Sequence, residues 1–427
     1  MTADEAIAGS GPLPATHPRQ RIGALRRVPG YPQLLISSFI WHTTRWGGLF
    51  TTSYLLAELV GSPILSQAVG ALLFAPMLLG GFVAGMISDR LERRKLILAV
   101  QLLLIPVEFA MSAVVWAGVV QVWMTLPFMF LLGIGGLMNM TAQRPLIYET
   151  VGPDLAPRAL TIESTAQAGS SMFGTLVGGI LIETVGMGAG FAVMGVLLVV
   201  SAALLWHVPT PRYGGRRSGG TFSIAAQLAA SAALVRRSPR LLAMLGITVV
   251  MNLCMFGYVP LIPIVAGDYT SSAAMIGALA AAPGCGQITA GIGLSARHLE
   301  RHGLVFAVGS GVALCGLLGF ATAPALAVAF LALFVSGLGQ AAFGSMQSLL
   351  AIEAAGETER GAALGVLSTC IGAMPIGMIV IGVAAESFGP RTALTASALL
   401  GLGGLVTVVT RRTGLLAHNP LPGSGNT

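Results

Sequence analysis

Three ionisable side chains sit where the surrounding sequence makes charge costly. Arg45 lies inside the apolar run 33–57, with Trp41, His42 and Trp46 beside it. Glu108 lies inside the run 96–117, just after Pro106. With each run helical, Arg45 stands roughly 16–18 Å and Glu108 roughly 18 Å along its axis, at about 1.5 Å per residue. An arginine at that depth can hold an anionic group or set the protonation of a partner, and a carboxyl can carry a proton. His42 and Arg45 are three residues apart and share a helical face. Similar depth leads us to expect that Arg45 and Glu108 pair, directly or through water, and that Glu108 couples a proton to a conformational change. The blander alternatives are a structural ion pair for Arg45 and a protonated packing group for Glu108.

Other chemistries find no constellation. There is no G-x-x-x-x-G-K-S/T, G-x-S-x-G or H-E-x-x-H, so neither direct ATP drive nor an enzyme is expected. The six His are scattered, and Cys254, Cys285, Cys315 and Cys370 all fall in apolar runs without a C-x-x-C. We expect no metal, no cofactor and no disulfide.

The chain of 427 residues is 55% hydrophobic and only 9% charged, with a mean hydropathy of +0.83. A soluble globular surface needs roughly 25% charged residues, and disordered chains are polar. A polytopic membrane protein remains. Twelve runs of spanning length fall at 33–57, 64–87, 96–117, 122–143, 160–182, 187–207, 241–266, 272–294, 303–322, 326–350, 362–385 and 391–410. They are continuously apolar, which argues for helices over the alternating strands of a barrel. The expected organisation is an arm (1–30), a six-helix bundle (31–207), a linker (208–240), a second six-helix bundle (241–412) and a tail (413–427). The linker opens with Pro209-Thr210-Pro211 and closes with a short amphipathic stretch over 222–237.

The basic residues set the orientation. Of 23 Lys and Arg, all but Arg45 and Arg391 fall in the arm, the tail or the loops after the even-numbered runs. This positive-inside pattern predicts cytoplasmic termini and linker in the plasma (inner) membrane. The net charge of +7 is thus a topological signal, and a nucleic-acid partner is not expected. The start has no apolar stretch followed by a cleavage site, so no signal peptide is expected.

The two halves also echo each other. Gly179-Ile-Leu-Ile-Glu183-Thr-Val-Gly186 ends the fifth run, and Gly382-Val-Ala-Ala-Glu386-Ser-Phe-Gly389 ends the eleventh. Leu91-Glu92-Arg93 after the second run matches Leu299-Glu300-Arg301 after the eighth. Two bundles of the same handedness, with a site at their interface, fit such an offset.

After the second run comes Gly85-Met-Ile-Ser-Asp89-Arg90-Leu91-Glu92-Arg93-Arg94-Lys95. It resembles the signature loop of the major facilitator superfamily, G-x-x-x-D-R-x-G-R-R/K, with Glu92 at the usual Gly. The second-half copy is degenerate, with Arg297 and His298 where the acid and Arg would stand. Leu59-Val60-Gly61-Ser62-Pro63, Ser238-Pro239-Arg240 and Gly174-Thr175-Leu-Val-Gly178-Gly179 are similar to the branch that contains the enterobactin exporter and related multidrug efflux proteins. In the last of these Thr175 replaces the Pro of the antiporter element.

The resemblance implies an all-α membrane protein of twelve transmembrane helices in two pseudo-symmetric bundles. It implies proton-coupled efflux of an amphipathic small molecule, such as a drug, siderophore or secondary metabolite, by alternating access. An importer or facilitator on the same fold is the main alternative, and a membrane-embedded lipid-modifying enzyme a distant one. Expected partners are the substrate, protons and the bilayer, and the expected state is a monomer. Gly85, Asp89, Arg90, Arg93 and Arg94 are expected to form a conformational latch. Arg45, Glu108 and His42 are the proton-coupling candidates. Arg144, Glu149, Arg158 and Glu163 are expected to form a cytoplasmic charge network, as Glu353, Glu357 and Arg360 do in the second half. Trp41, Trp46, Asn139, Gln143, Asn252, Tyr258, Gln340 and Gln347 are cavity candidates. Gly174, Gly178 and Gly179 are expected to let a neighbouring helix approach closely. Pro260, Pro263 and Pro375 are expected to kink or unwind their helices.

Overall fold

A helix that is apolar on every side has no wet face, and in lipid its backbone groups must bond within the helix. The computed structural model follows that constraint. It describes residues 24–209, 233–295, 300–355, 359–411 and 415–416, and for 79–90, 295 and 360–361 the backbone only. Most of the arm, linker and tail, together with Arg297, His298 and Glu357, lie outside the described residues.

The first half is α1 (Tyr31–Leu59), α2 (Pro63–Arg90), α3 (Arg93–Trp116), α4 (Val122–Val151), α5 (Ala156–Val185) and α6 (Met187–Trp206). The second half is α7 (Pro239–Gly267), α8 (Ala273–Ser295), α9 (His302–Ala321), α10 (Leu326–Glu353), α11 (Arg360–Ile371 and Met374–Phe388) and α12 (Pro390–Thr410). No strand occurs among the described residues. Ten of these helices are long and apolar enough to cross a membrane. Helix α1 is not among them; His42, Arg45 and a run of Ser and Thr dilute its apolar character. Two helices are interrupted where the prolines lie. A 3-10 turn, Phe256–Leu261, breaks α7 at Pro260, and α11 restarts at Met374, just ahead of Pro375.

The halves pack in matching patterns. Helix α2 lies on α4 as α8 lies on α10, α3 on α6 as α9 on α12, and α1 on α5 as α7 on α11. Between halves, α5 packs on α8 and α11 on α2, again a matched pair. The repeated Gly ends α5 and α11 in the same way. Gly186 (φ 99) and Gly389 (φ 86) take a left-handed backbone that stops the helix, and each opens the next helix one residue on.

The named contacts between halves run from the end opposite the linker to mid-helix. At Gly179 an added Cβ would lie 2.5 Å from Ala273 O and 2.8 Å from Gly277 Cα. Further along, Gly284 lies against Met172, and at Gly169 the nearest atom of α8 is Ile288 Cδ1. On the matching side Gly70 lies against Pro260 and Met378, and Gly372 against Leu78.

Candidate functional site

The polar interior of the first half is built around α1. One face carries His42, then Arg45 a turn later, then Gly48. His42 points at α5, where its Nε2 lies 3.8 Å from Glu163 Oε1. Glu163 Oε2 lies 4.0 Å from Arg144 Nε of α4. So Glu163 joins two groups expected to act separately, the cytoplasmic charge network and the α1 pair.

Arg45 points at α4 and α2. Its guanidinium lies against Gly136, where an added Cβ would meet Nε at 2.9 Å. Its Cζ sits 4.9 Å from the centre of the Phe74 ring, a cation–π distance. Trp46 leans on the same ring, with centroids 6.5 Å apart. Nε and Nη2 of Arg45 are buried without a hydrogen-bond partner.

The expected Arg45–Glu108 pair is not formed among the described residues: neither carboxylate oxygen of Glu108 has a partner. Glu108 is 1% exposed and lies against Gly48, whose added Cβ would be 4.0 Å from Oε1. Depth along the axis matches; rotation about the axis sends Arg45 to α4 and leaves Glu108 one turn further along α1.

Asn139 and Gln143, four apart on α4, are buried, and both Asn139 amide atoms and Gln143 Nε2 lack a partner. Gln101 of α3 is alike, buried with both amide atoms unpartnered. The sequence reading passed over it, although a Gln seven residues before Glu108 in an apolar helix was a usable signal. Trp41 is fully buried in the core of the half, against Gly135 and Leu104.

Among the described residues, the buried amides of the second half are hydrogen-bonded within that half. Gln340 Nε2 donates to Tyr258 Oη at 3.2 Å and Ser336 Oγ at 3.1 Å, and Oε1 accepts from Gln287 Nε2 at 3.3 Å. Gln347 Nε2 donates to Thr248 Oγ1 at 3.2 Å. Asn252 Nδ2 donates to Thr248 O of its own helix at 2.8 Å.

At the linker end, Arg93 pairs with Glu149 and Arg94 donates to Val208 O. The side chains of Asp89, Arg90 and Arg360 lie outside what is described, and Gly85 lies in the stretch of α2 whose backbone alone is described. Arg158 forms no ion pair with a described residue, which departs from the expected network. Glu353 is held by His302 at 2.6 Å and Arg240 at 3.3 Å.

The repeated glutamates face each other's half at the opposite end. Glu183 Oε2 at the end of α5 accepts from Ala273 N at 2.7 Å and Ala274 N at 3.4 Å, the first turn of α8. Glu386 Oε2 at the end of α11 accepts from Ile64 N at 3.1 Å and Ser62 Oγ at 2.9 Å, the start of α2. A carboxylate there meets free N–H groups and the positive end of the helix dipole. The sequence showed this repeat but not its role. The three glycines of α5 divide similarly. At Gly174 an added Cβ would lie 2.5 Å from Thr43 O, and at Gly178 3.1 Å from Phe50 Cδ1, both within the half; Gly179 faces α8.

The family model described as Major Facilitator Superfamily matches residues 34–375, and again 244–424. The chain belongs to the major facilitator superfamily. No curated protein is a sequence match. Among solved structures, a bacterial homologue of the human lysosomal transporter Spinster, inward-facing and occupied, has a TM-score of 0.69 at 14% identity, covering 89% of this chain and 95% of that one. The nucleoside transporter NupG, in a mutant form, gives 0.66 at 15%, covering 89% and 99%. The E. coli fucose:proton symporter FucP, also a mutant, gives 0.58 at 15%, covering 89% and 97%. At such identities the likeness is one of fold. It agrees with the twelve-helix architecture, and membership of the superfamily, with its apolar helices, makes this chain a multi-pass membrane transporter.

Proposed function

We propose that the chain is a proton-coupled secondary transporter that exports an amphipathic small molecule by alternating access. The observation that carries the reading is the matched pair of contacts between halves, Glu183 on α8 and Glu386 on α2. Related by the internal repeat, they fasten one mouth from both sides with individually modest bonds, all but the part-buried one to Ala273 N exposed. Such contacts can break and reform together as the halves rock, because states that interconvert differ by only a few kcal/mol. With the linker and termini cytoplasmic, as the distribution of Lys and Arg indicates, the fastened mouth is the outer one, which supports an inward-facing reading. The Spinster homologue was captured facing the same way.

The amphipathic substrate is favoured by the Arg45 guanidinium among Phe74 and Trp46, a charge with an aromatic surface beside it. Asn139 and Gln143 supply unpartnered amides nearby on α4. Likeness to efflux proteins in Leu59–Pro63, Ser238–Arg240 and Gly174–Gly179 supports the outward direction.

The test begins with compounds that accumulate differently in cells with and without the gene. Their flux is then followed in inside-out membrane vesicles that respiration acidifies internally. An exporter concentrates the compound inside the vesicles, and a protonophore collapses the gradient. Flux in the reverse direction, or indifference to the protonophore, overturns the reading in favour of an importer or facilitator.

A further inference from the structure

Resting on that reading, we propose that Glu163, held between His42 and Arg144, is the group that binds the coupling proton. The Glu163 side chain is 3% exposed and that of His42 8%, whereas that of Arg144 is 55% exposed. The site therefore has a buried acceptor and a solvent-facing cation at its mouth. The 3.8 and 4.0 Å separations exceed hydrogen-bond length. The carboxylate thus lies between the His42 imidazole and the Arg144 guanidinium without a hydrogen bond to Arg144 and without being saturated by either. Oε2 and His42 Nδ1 are both buried with no hydrogen-bond partner. A proton on Oε2 has an open coordination site, and the charged form has Arg144 to balance it.

The groups that face this carboxyl are few. Helix α1 supplies His42 and, further off, Tyr31; its Arg45 points away, to Gly136 and Phe74. Helix α4 supplies Arg144, while its Glu149 is taken by Arg93. The sequence of α6 has no ionisable residue, and that of α8 has only Cys285. Arg158, on α5 itself, forms no ion pair with a described residue. Glu108 is the competing carboxyl. It has no cation within ion-pair distance among the described residues and sits against a glycine backbone, so its charged form has no counter-ion there.

Location adds a mechanical argument. Glu163 lies on α5, which also carries Gly179 and Glu183 against α8. The same helix that receives the proton forms half of the contact between bundles. A change in the pull between α5, α1 and α4 at one end is transmitted by a rigid helix to the other.

The test uses purified full-length protein in lipid nanodiscs and needs no substrate. Infrared difference spectra between acidic and neutral pH report the stretching band of a protonated buried carboxyl. Wild type is expected to show that band growing as the pH falls. Glu163→Gln removes it, and Glu163→Asp restores a carboxyl band. His42→Asn and Arg144→Gln keep the band, because the carboxyl itself remains. A band that survives Glu163→Gln and vanishes in Glu108→Gln assigns the proton to Glu108 and overturns the proposal. In vesicles, Glu163→Gln is expected to lose pH-driven accumulation while still exchanging labelled for unlabelled substrate, which also shows that it is folded. Retained pH-driven accumulation in that variant overturns the proposal but leaves the transport reading intact. A wild-type protein whose Glu163 band titrates, but whose flux ignores pH, overturns the coupling instead.

Discussion

Replacing Gly179 with Ala should open the mouth opposite the linker. The added methyl would lie 2.5 Å from Ala273 O and 2.8 Å from Gly277 Cα. These are backbone atoms and cannot rotate away, so α5 and α8 must part by roughly 1 Å to restore ordinary contact. Overpacking of this kind costs about 1–3 kcal/mol. The cost falls only on the state in which the two helices touch. A bias of that size shifts a two-state population by roughly 5- to 150-fold. Spin labels at Val60 and Phe388, exposed residues on opposite halves at the same mouth, read the shift by pulsed electron resonance after the four Cys are replaced. Wild type is expected to give a short distance, and Gly179→Ala a growing long-distance population. Gly178→Ala is the control. It sits next along the same helix but meets Phe50 Cδ1 at 3.1 Å inside the first half, where a side chain can give. An unchanged distribution in Gly179→Ala, or an equal change in Gly178→Ala, refutes the assignment of this contact as the closed mouth.

Other outcomes follow from the same geometry. Arg45→Ala should keep a monodisperse elution profile and lose transport in the vesicle assay, and Arg45→Lys should recover only part of it, because an ammonium lacks the planar face that lies on Phe74. Glu183→Ala combined with Glu386→Ala should lengthen the same label distance, each contributing about 0.5–1 kcal/mol, and the two should add because the sites are separate. Gln340→Leu should lower the melting temperature through a loss of about 1–3 kcal/mol, since Tyr258, Ser336 and Gln287 each lose a partner.

The fold was legible because lipid leaves a sequence few options. Each apolar run became a helix, with ends displaced by a few residues; the fourth extends to Val151, beyond the expected 143, because Arg144 to Thr150 continue the helix past the apolar stretch. The breaks at Pro260 and Pro375 were legible for the same local reason, a missing N–H in a helix. The partners inside the first half were not. Arg45 and Glu108 match in depth, but a hydrophobic helix carries little information on which side faces which neighbour. The close approaches at Gly174 and Gly136 set that rotation, and they depend on the other helices. Glu163 was read as part of a peripheral network because it lies near the start of its run; its burial comes from α1 and α4, which no local pattern encodes.

The internal repeat separates what the two halves share from what they do not. The repeated residues, Gly179 with Glu183 and Gly382 with Glu386, lie on the contacts between halves. A matched motion needs matched contacts, so duplication preserves them in pairs. Among the described residues, buried polar atoms without a hydrogen-bond partner are concentrated in the first half, at Arg45, Gln101, Glu108, Asn139, Gln143 and Glu163 Oε2; near the repeat offset Gln143 has Gln347 as its counterpart, whereas Arg45, Glu108 and Glu163 have no ionisable one. In the second half, Tyr258, Gln340 and Gln347 spend their hydrogen bonds on one another's helices. Buried groups already bonded rigidify a bundle, whereas unbonded ones must find a ligand, a proton or water. Among the described residues the open valences therefore lie mainly on the first half and the bonded amides on the second.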